Sequence, residues 1–98
     1  MIKVGLLVRL EAKAGKEQTL EDFLRSGLPI VQTEAETITW YAVRINDSTF
    51  AIFDTFPNDG ARHAHLTGQL AAALMAKAGE LLAKPPVIEQ VDVLAVKS

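Results

Sequence analysis

The stretch of sequence that decides the fold runs from Thr49 to Leu66 and reads TFAIFDTFPNDGARHAHL. Its first eight residues are mostly aromatic and β-branched, which is typical of a β-strand, and Asp54 is the acid among them. A Pro-Asn-Asp turn follows, and Asn and Asp are residues that cap the start of a helix. The remaining residues predict a short helix that carries both histidines of the protein, His63 and His65.

Hydrophobic periodicity assigns the rest of the chain to further strands and helices. The predicted order is strand 2–12, helix 16–34, strand 37–45, strand 49–56, a short helix from about 58 to 67, an alanine-rich helix that ends at Lys84-Pro85-Pro86, and strand 87–96. Because Pro29 removes a backbone hydrogen bond, the first helix is expected to kink or stop near Ser26. This order predicts an α+β, ferredoxin-like βαββαβ fold, with a four-stranded antiparallel sheet and helices on one face, in one domain spanning residues 1–98.

The second face of the predicted sheet is also apolar. An antiparallel sheet with one solvated face alternates apolar and polar residues, whereas the second and third strands carry large apolar side chains on both sides. Leaving them in water is unfavourable and promotes aggregation. The sequence therefore predicts a homodimer in which this face packs on a partner sheet or encloses a pocket.

Composition narrows the function classes. Of the 98 residues, 49% are hydrophobic and 22% charged, which indicates a globular domain. The net charge of −2, with no basic cluster, argues against nucleic acid or anionic membrane as a partner. Cysteine is absent, so disulfides and thiolate sites are excluded. The first residues are too short and too interrupted for a signal peptide or membrane span, and a cytoplasmic location is the expectation.

The two histidines differ in their expected roles. They are two residues apart, so on a helix they point in different directions and cannot bind one metal together; no metal site is predicted. His63 is expected to be a solvated helix residue. His65 lies at the inner edge of the helix, where its imidazole could accept a proton from a bound phenol, or could be a half-buried structural histidine.

Asp54 is the second candidate catalytic residue. It shares a strand face with aromatic residues, so it needs a partner or acquires a raised pKa. Arg44 and Arg9 are the candidate partners, either in a structural ion pair or around a substrate. Trp40 and its neighbour Tyr41 point to opposite sides of the sheet, so one can line a ligand cavity while the other lies in the core. No dinucleotide fingerprint or phosphate-binding loop is present, and no cofactor is predicted.

Three segments carry a resemblance to a known family. VRLEAKAGKEQTLEDFL, the aromatic third strand, and ARHAHLTGQL with its Ala64-His65-Leu66 triplet together resemble the antibiotic biosynthesis monooxygenase domain family over nearly the whole chain. The resemblance implies a dimeric α/β barrel and a cofactor-independent oxygenase acting on phenolic or quinol substrates. In that interpretation His65 takes the phenolic proton, Trp40, Phe53 and Phe56 shape the pocket, and Asp54 or Arg44 orients polar groups.

The chain also departs from the family pattern. Characterised oxygenases of the family typically carry a tryptophan at the end of the third strand and an asparagine on the first or third strand, where this chain has Phe56, Ile52 and Val8. Haem-degrading relatives carry an axial histidine near the position of Met75. These departures leave open a non-catalytic dimeric ligand-binding or stress-associated module. An isomerase or decarboxylase is a further alternative, because the fold alone does not determine function.

Overall fold

The computed structural model describes residues 1–97 of the chain. The elements follow in the order β1 (Val4–Glu11), α1 (Glu17–Ser26), α2 (Leu28–Val31), β2 (Thr39–Arg44), β3 (Thr49–Phe56), α3 (Asp59–Leu66), α4 (Gln69–Leu81) and β4 (Val87–Asp92). The four strands form one antiparallel sheet in the order β2-β3-β1-β4. The predicted ferredoxin-like fold is therefore confirmed.

The helices cover one face of the sheet. Alternation in β1 directs Leu6, Val8 and Leu10 toward this face, and all three are buried. Leucines of α1 and α4 at helical spacing, such as Leu20 and Leu74, pack against them. The core of the protein lies between this inner face and the helices.

The first predicted helix is divided in two. α1 ends at Ser26, and the backbone N–H of Gly27 donates to the Leu24 carbonyl at 3.1 Å. A separate turn of helix, α2, then begins at Leu28 with Pro29 in its first turn, where the missing proline N–H is tolerated. The predicted kink or stop near Ser26 is confirmed, and the chain turns after α2 instead of continuing as a helix to residue 34.

β4 is shorter than predicted. It pairs only with β1, and its last paired residue is Asp92, opposite Val4 at the start of β1. Because β1 begins at Val4, the residues after Asp92 have no partner in β1. The Val93 N–H donates instead to the carbonyl of Lys3, which precedes β1. The prediction that the strand reaches residue 96 is therefore wrong, because pairing ends it although its apolar character continues.

The outer face of the sheet has no helix on it and is apolar. Leu7 of β1 is 39% exposed, and Tyr41 and Val43 of β2 are 56% and 47% exposed; β3 lies between these two strands. The predicted second apolar face is confirmed. No helix in residues 1–97 is long and apolar enough to cross a membrane.

Candidate functional site

Asp54 lies in β3, and its side chain is on the inner face of the sheet. Asp54 lies opposite Leu6 of β1 on one side and opposite Trp40 of β2 on the other. It is only 1% exposed, which is rare for a carboxylate because burial removes its hydration. The close approach of β1 depends on Gly5, since a Cβ at that position would lie 2.7 Å from the Asp54 carbonyl oxygen.

Helix α3 places His65 beside Asp54. The helix starts where predicted, with the Asn58 side chain accepting a hydrogen bond from the Ala61 N–H at 2.8 Å. Ala61, Arg62 and His65 are buried because spacings of three and four residues place them on one side of the helix. His63 is exposed, as predicted.

Arg62 fixes α3 against the sheet. Its guanidinium Nη1 donates to the carbonyls of Gly5 and Val91, both at 3.2 Å, and its Nη2 pairs with Asp59 in the same helix. The arginine therefore joins α3 to β1 and β4, one turn before His65. No pattern in the sequence indicated a role for Arg62.

The imidazole of His65 lies between two carboxylates. Its Nδ1 is 2.6 Å from Oε1 of Glu34, and its Nε2 is 3.0 Å from Oδ2 of Asp54. Glu34 lies in the turn after α2, and the same Oε1 also accepts a hydrogen bond from the Thr37 hydroxyl at 2.7 Å. A chain of three ionisable groups thus connects β3, α3 and the turn after α2; Asp54 and His65 are buried and Glu34 is half-buried.

The two carboxylates control the charge on the ring. Burial by itself lowers the pKa of His65, but the hydrogen bonds and charges of Asp54 and Glu34 oppose burial and raise the pKa above its ordinary value of 6.5. The protonated ring is therefore favoured. Because both nitrogens of an imidazolium carry protons, the ring in this form donates to Glu34 through Nδ1, presents a second N–H beside Asp54, and has no lone pair with which to accept a further proton.

Two polar groups at the site have no well-directed partner. The Nε2–Oδ2 contact is short but poorly aligned, and within residues 1–97 neither oxygen of Asp54 has a hydrogen bond of good geometry. The indole Nε1 of Trp40 is likewise buried and unbonded among the described residues. One strong acceptor and one donor therefore lie on the same sheet face in adjacent strands.

A cavity of about 90 Å³ adjoins these groups, between the inner face of the sheet and helices α1, α3 and α4. Asp54, His65 and Trp40 contribute the polar groups of its lining. All other lining residues are apolar, among them Leu6, Val8, Ile52, Leu70, Leu74 and Met75. Glu34 lies behind His65 and does not line the cavity. The arrangement is an apolar chamber that ends at a buried carboxylate.

The other residues singled out in the sequence lie elsewhere. Phe56 is buried in the core, and its ring centroid is 5.3 Å from that of His65, so it packs against the imidazole. Phe53 has the opposite parity to Asp54 and lies on the outer face. Arg44 pairs with Glu21 and lines a separate open groove of about 560 Å³ between α1 and β2.

Asp54 does not pair with either arginine proposed from the sequence. Its nearest charged partner is His65, which comes from a helix and not from a neighbouring strand.

Glu34, the third of the linked ionisable groups, was not predicted from the sequence. It lies in the polar segment TEAET, which has no periodicity to mark one glutamate as buried. Within residues 1–97, no cluster of three or more His, Cys, Asp or Glu side chains could hold a metal ion.

Comparison with known proteins identifies relatives of this chain. It is 52% identical to a Nitrosomonas europaea protein of unknown function, with a TM-score of 0.97 over 100% of this chain and 95% of that one. A Mycobacterium tuberculosis protein has a TM-score of 0.85 at 16% identity, covering 98% of this chain and 99% of that one.

A third structure, named antibiotic biosynthesis monooxygenase, has a TM-score of 0.81 at 10% identity, covering 94% of this chain and 99% of that one. No protein-family model matches the sequence, and no curated protein matches it. The chain therefore belongs to the same family as the Nitrosomonas europaea protein, and it shares its fold with the structure named antibiotic biosynthesis monooxygenase.

Proposed function

We propose that this protein is a cofactor-independent monooxygenase that acts on a small phenolic or quinol-type aromatic compound. The observation that carries the proposal is the apolar cavity lined by the buried Asp54 and His65, with Glu34 holding His65 from behind. Within residues 1–97 the Asp54 oxygens have no hydrogen bond of good geometry, so they are available to accept the proton of a hydroxyl bound in the cavity. The fold supports this choice of reaction but does not establish it.

The proposed reaction needs no electron source other than the substrate. Asp54 accepts the hydroxyl proton, and the resulting phenolate supplies electrons to dioxygen. A bond forms between a ring carbon and one oxygen atom, giving a hydroperoxide. The O–O bond then breaks, one oxygen remains as a carbonyl, and the other leaves as water with the two hydrogens from the hydroxyl and the ring carbon. One phenol and one dioxygen therefore give one quinone and one water.

The three ionisable groups have different roles in this proposal. Both ring nitrogens of His65 face carboxylates, whereas the oxygens of Asp54 have no hydrogen bond of good geometry within residues 1–97, so Asp54 is the first proton acceptor. The imidazolium then balances the charge of the phenolate, which a low-dielectric cavity would otherwise disfavour. Glu34 holds the ring through Nδ1 and keeps Nε2 directed toward Asp54. Phe56 supports the ring from the side.

Oxygen uptake by metal-free protein tests the proposal. The purified protein is mixed with a panel of phenols and dihydroxyaromatics, and dioxygen consumption is compared for wild type, His65→Ala and the exposed control His63→Ala. We expect uptake in wild type and in the His63 variant, and a loss of roughly a hundredfold or more in the His65 variant. Unchanged uptake in His65→Ala would remove His65 from the mechanism.

A non-catalytic ligand-binding module is the second candidate. It is favoured by Phe56, Ile52 and Val8, which stand where the characterised oxygenases that the chain resembles typically carry a tryptophan and an asparagine. A module of this kind would bind small aromatics without consuming dioxygen. Saturable binding of a phenol with no uptake for any member of the panel would select this candidate.

We further propose that the protein forms a homodimer through the outer face of the sheet. Leu7, Tyr41 and Val43 are exposed there, and burying a large apolar side chain contributes about 1.5–3 kcal/mol. Sedimentation at micromolar concentration tests this, with Tyr41→Glu as the disrupting variant and Glu36→Gln as an exposed control outside the sheet. A wild-type protein that sediments as a monomer would contradict the proposal.

A further inference from the structure

We propose that Trp40 and Asp54 together bind one hydroxyl group of the ligand. The Trp40 indole N–H donates to the hydroxyl oxygen while the Asp54 carboxylate accepts the hydroxyl proton. This inference rests on the proposed function, because it states how the substrate of that same site is recognised. The ligand class it selects is the neutral, one-ring phenol, in preference to aromatic ethers and aromatic carboxylates.

The register of the sheet places the two side chains side by side. Trp40 of β2 lies directly opposite Asp54 of β3, so both project from the inner face. Side chains at directly opposed positions of an antiparallel pair have Cβ atoms about 4.5–5.5 Å apart. Both residues line the same cavity. A single small polar group can therefore reach both of them.

The two groups are chemically complementary and both lack partners. Trp40 Nε1 can only donate a hydrogen bond, and an ionised Asp54 can only accept one. Both are buried without a well-directed hydrogen bond in the described part of the chain, and they are not bonded to each other. Buried polar groups in proteins are nearly always hydrogen-bonded, and orphaned ones are associated with function. A hydroxyl satisfies both, because it offers one proton and two lone pairs.

Other polar groups fit this pair less well. A carboxylate would meet the charge of Asp54 in apolar surroundings, where repulsion between like charges is strong. A methyl ether offers an acceptor to Trp40 but no proton to Asp54, which stays unsatisfied. A cationic amine offers donors to Asp54 but no lone pair to the Trp40 N–H, which stays unsatisfied. A neutral hydroxyl meets all three conditions.

The cavity limits the ligand to one ring. Its volume of about 90 Å³ is below the roughly 150 Å³ of a benzene-binding cavity, so a ring enters only when a lining side chain moves. Met75 is suited to this movement because it lines the cavity, is 59% exposed, and has an unbranched, flexible side chain. Most of the other lining residues are buried in the core, among them Leu6, Val8, Ile52, Leu70 and Leu74.

Binding without turnover tests the inference. Trp40 is the single tryptophan of the chain, so intrinsic fluorescence excited at the red edge of indole absorption reports on the site itself. Phenol, anisole and benzoate are titrated into the full-length protein under anaerobic conditions, with wild type, Asp54→Asn and the exposed control Asp92→Asn. Trp40→Phe, which keeps an aromatic ring and removes the donor, is measured by calorimetry.

We expect saturable binding of phenol, with anisole and benzoate about tenfold weaker or more because a buried polar group is then left unpaired. Asp54→Asn and Trp40→Phe each weaken phenol binding by about tenfold, since a charged acceptor or the only donor is lost. Asp92→Asn binds like wild type. Equal affinities for phenol and anisole, tighter binding of benzoate, or no saturable binding overturns the inference.

The outcomes separate this inference from the monooxygenase proposal. Hydroxyl-dependent binding with no dioxygen uptake in air supports the Trp40–Asp54 site and refutes the oxygenase. Dioxygen uptake with phenol, combined with equal affinities for phenol and anisole, supports the oxygenase and refutes this mode of recognition.

Discussion

Replacing Glu34 with glutamine removes one of the two carboxylates that hold the His65 imidazolium, while the size and shape of the side chain are kept. The glutamine oxygen can still accept the hydrogen bond from Nδ1, which is 2.6 Å from Oε1 of Glu34. What is lost is the negative charge. We expect the pKa of His65 to fall and the folded protein to become less stable at slightly acid pH.

The size of the effect follows from the contact. A hydrogen bond to a charged group contributes about 1.5–3 kcal/mol and a neutral one about 0.5–1.5 kcal/mol, so the variant loses about 1 kcal/mol. The Glu34 side chain is 20% exposed, so solvent screens its charge and the loss of stability is not expected to exceed about 1 kcal/mol by much. In a domain of this size, about 1 kcal/mol corresponds to a decrease in Tm of about 4–8 °C.

The sign of the pH dependence follows from the raised pKa. His65 binds its proton more tightly in the folded chain than in the unfolded chain, where its ordinary value is 6.5. The stabilisation is therefore fully present below 6.5 and is lost as the pH rises through the folded pKa. In Glu34→Gln the stabilisation from protonated His65 is smaller, so less of it is lost as the pH rises. The stability curves of wild type and variant are expected to converge at alkaline pH.

Thermal unfolding from slightly acid to alkaline pH measures the effect. Glu36→Gln is the matched control, because Glu36 is exposed and lies two residues away in the same segment. The two histidine rings can be followed by NMR, with the exposed His63 as an internal reference. Parallel stability curves for wild type and Glu34→Gln, or an unchanged His65 titration, would refute the reasoning.

Three further substitutions test the contacts that position the site, each by denaturant unfolding. Asn58→Ala removes the cap that bonds the Ala61 N–H and is expected to lower the free energy of unfolding by about 1 kcal/mol. Gly5→Ala places a Cβ 2.7 Å from the Asp54 carbonyl oxygen and is expected to lower it by about 1–3 kcal/mol. Arg62→Ala leaves two backbone carbonyls without their donor, with an expected loss of about 2 kcal/mol or more. A variant within about 0.5 kcal/mol of wild type would contradict the role given to that contact.

Most of the fold could be predicted from the sequence because the hydrophobic patterns of the strands and helices agree with the way the helices pack on the sheet. The alternation of Leu6, Val8 and Leu10 marks a strand that is buried on one face, and that face is the one the helices cover. The Pro-Asn-Asp turn marks the start of α3, and Asn58 caps it. The end of β4 was not readable, because pairing with β1 stops at Asp92 although the apolar residues continue.

The site was only partly readable. Strand parity separated Trp40 from Tyr41, and helix spacing separated His65 from His63. The partner of Asp54 could not be identified, because its proximity to His65 depends on how α3 packs across the sheet. Glu34 reaches the ring through a turn that follows a broken helix, and no periodic pattern predicts such a contact.

Arg44 shows that two residues on the same face of a strand can lie in different environments. It shares the inner face with Trp40, but it lies opposite Phe50, whereas Trp40 lies opposite Asp54. Glu21 of α1 pairs with it there, and its guanidinium lies 5.5 Å from the centre of the Phe50 ring. The same face of one strand thus contributes to two separate environments.

The central claim is that Asp54, at the end of the apolar cavity, enables a phenol to react with dioxygen without a cofactor. A single-turnover reaction of metal-free protein with a phenol under isotopically labelled dioxygen tests it most directly, with the product reduced at once to a hydroquinone so that the label cannot exchange with water. We predict one labelled oxygen atom in the product from wild type and from the control Asp92→Asn, and almost none from Asp54→Asn. Unlabelled product from wild type, or equal labelling by Asp54→Asn, would contradict the account.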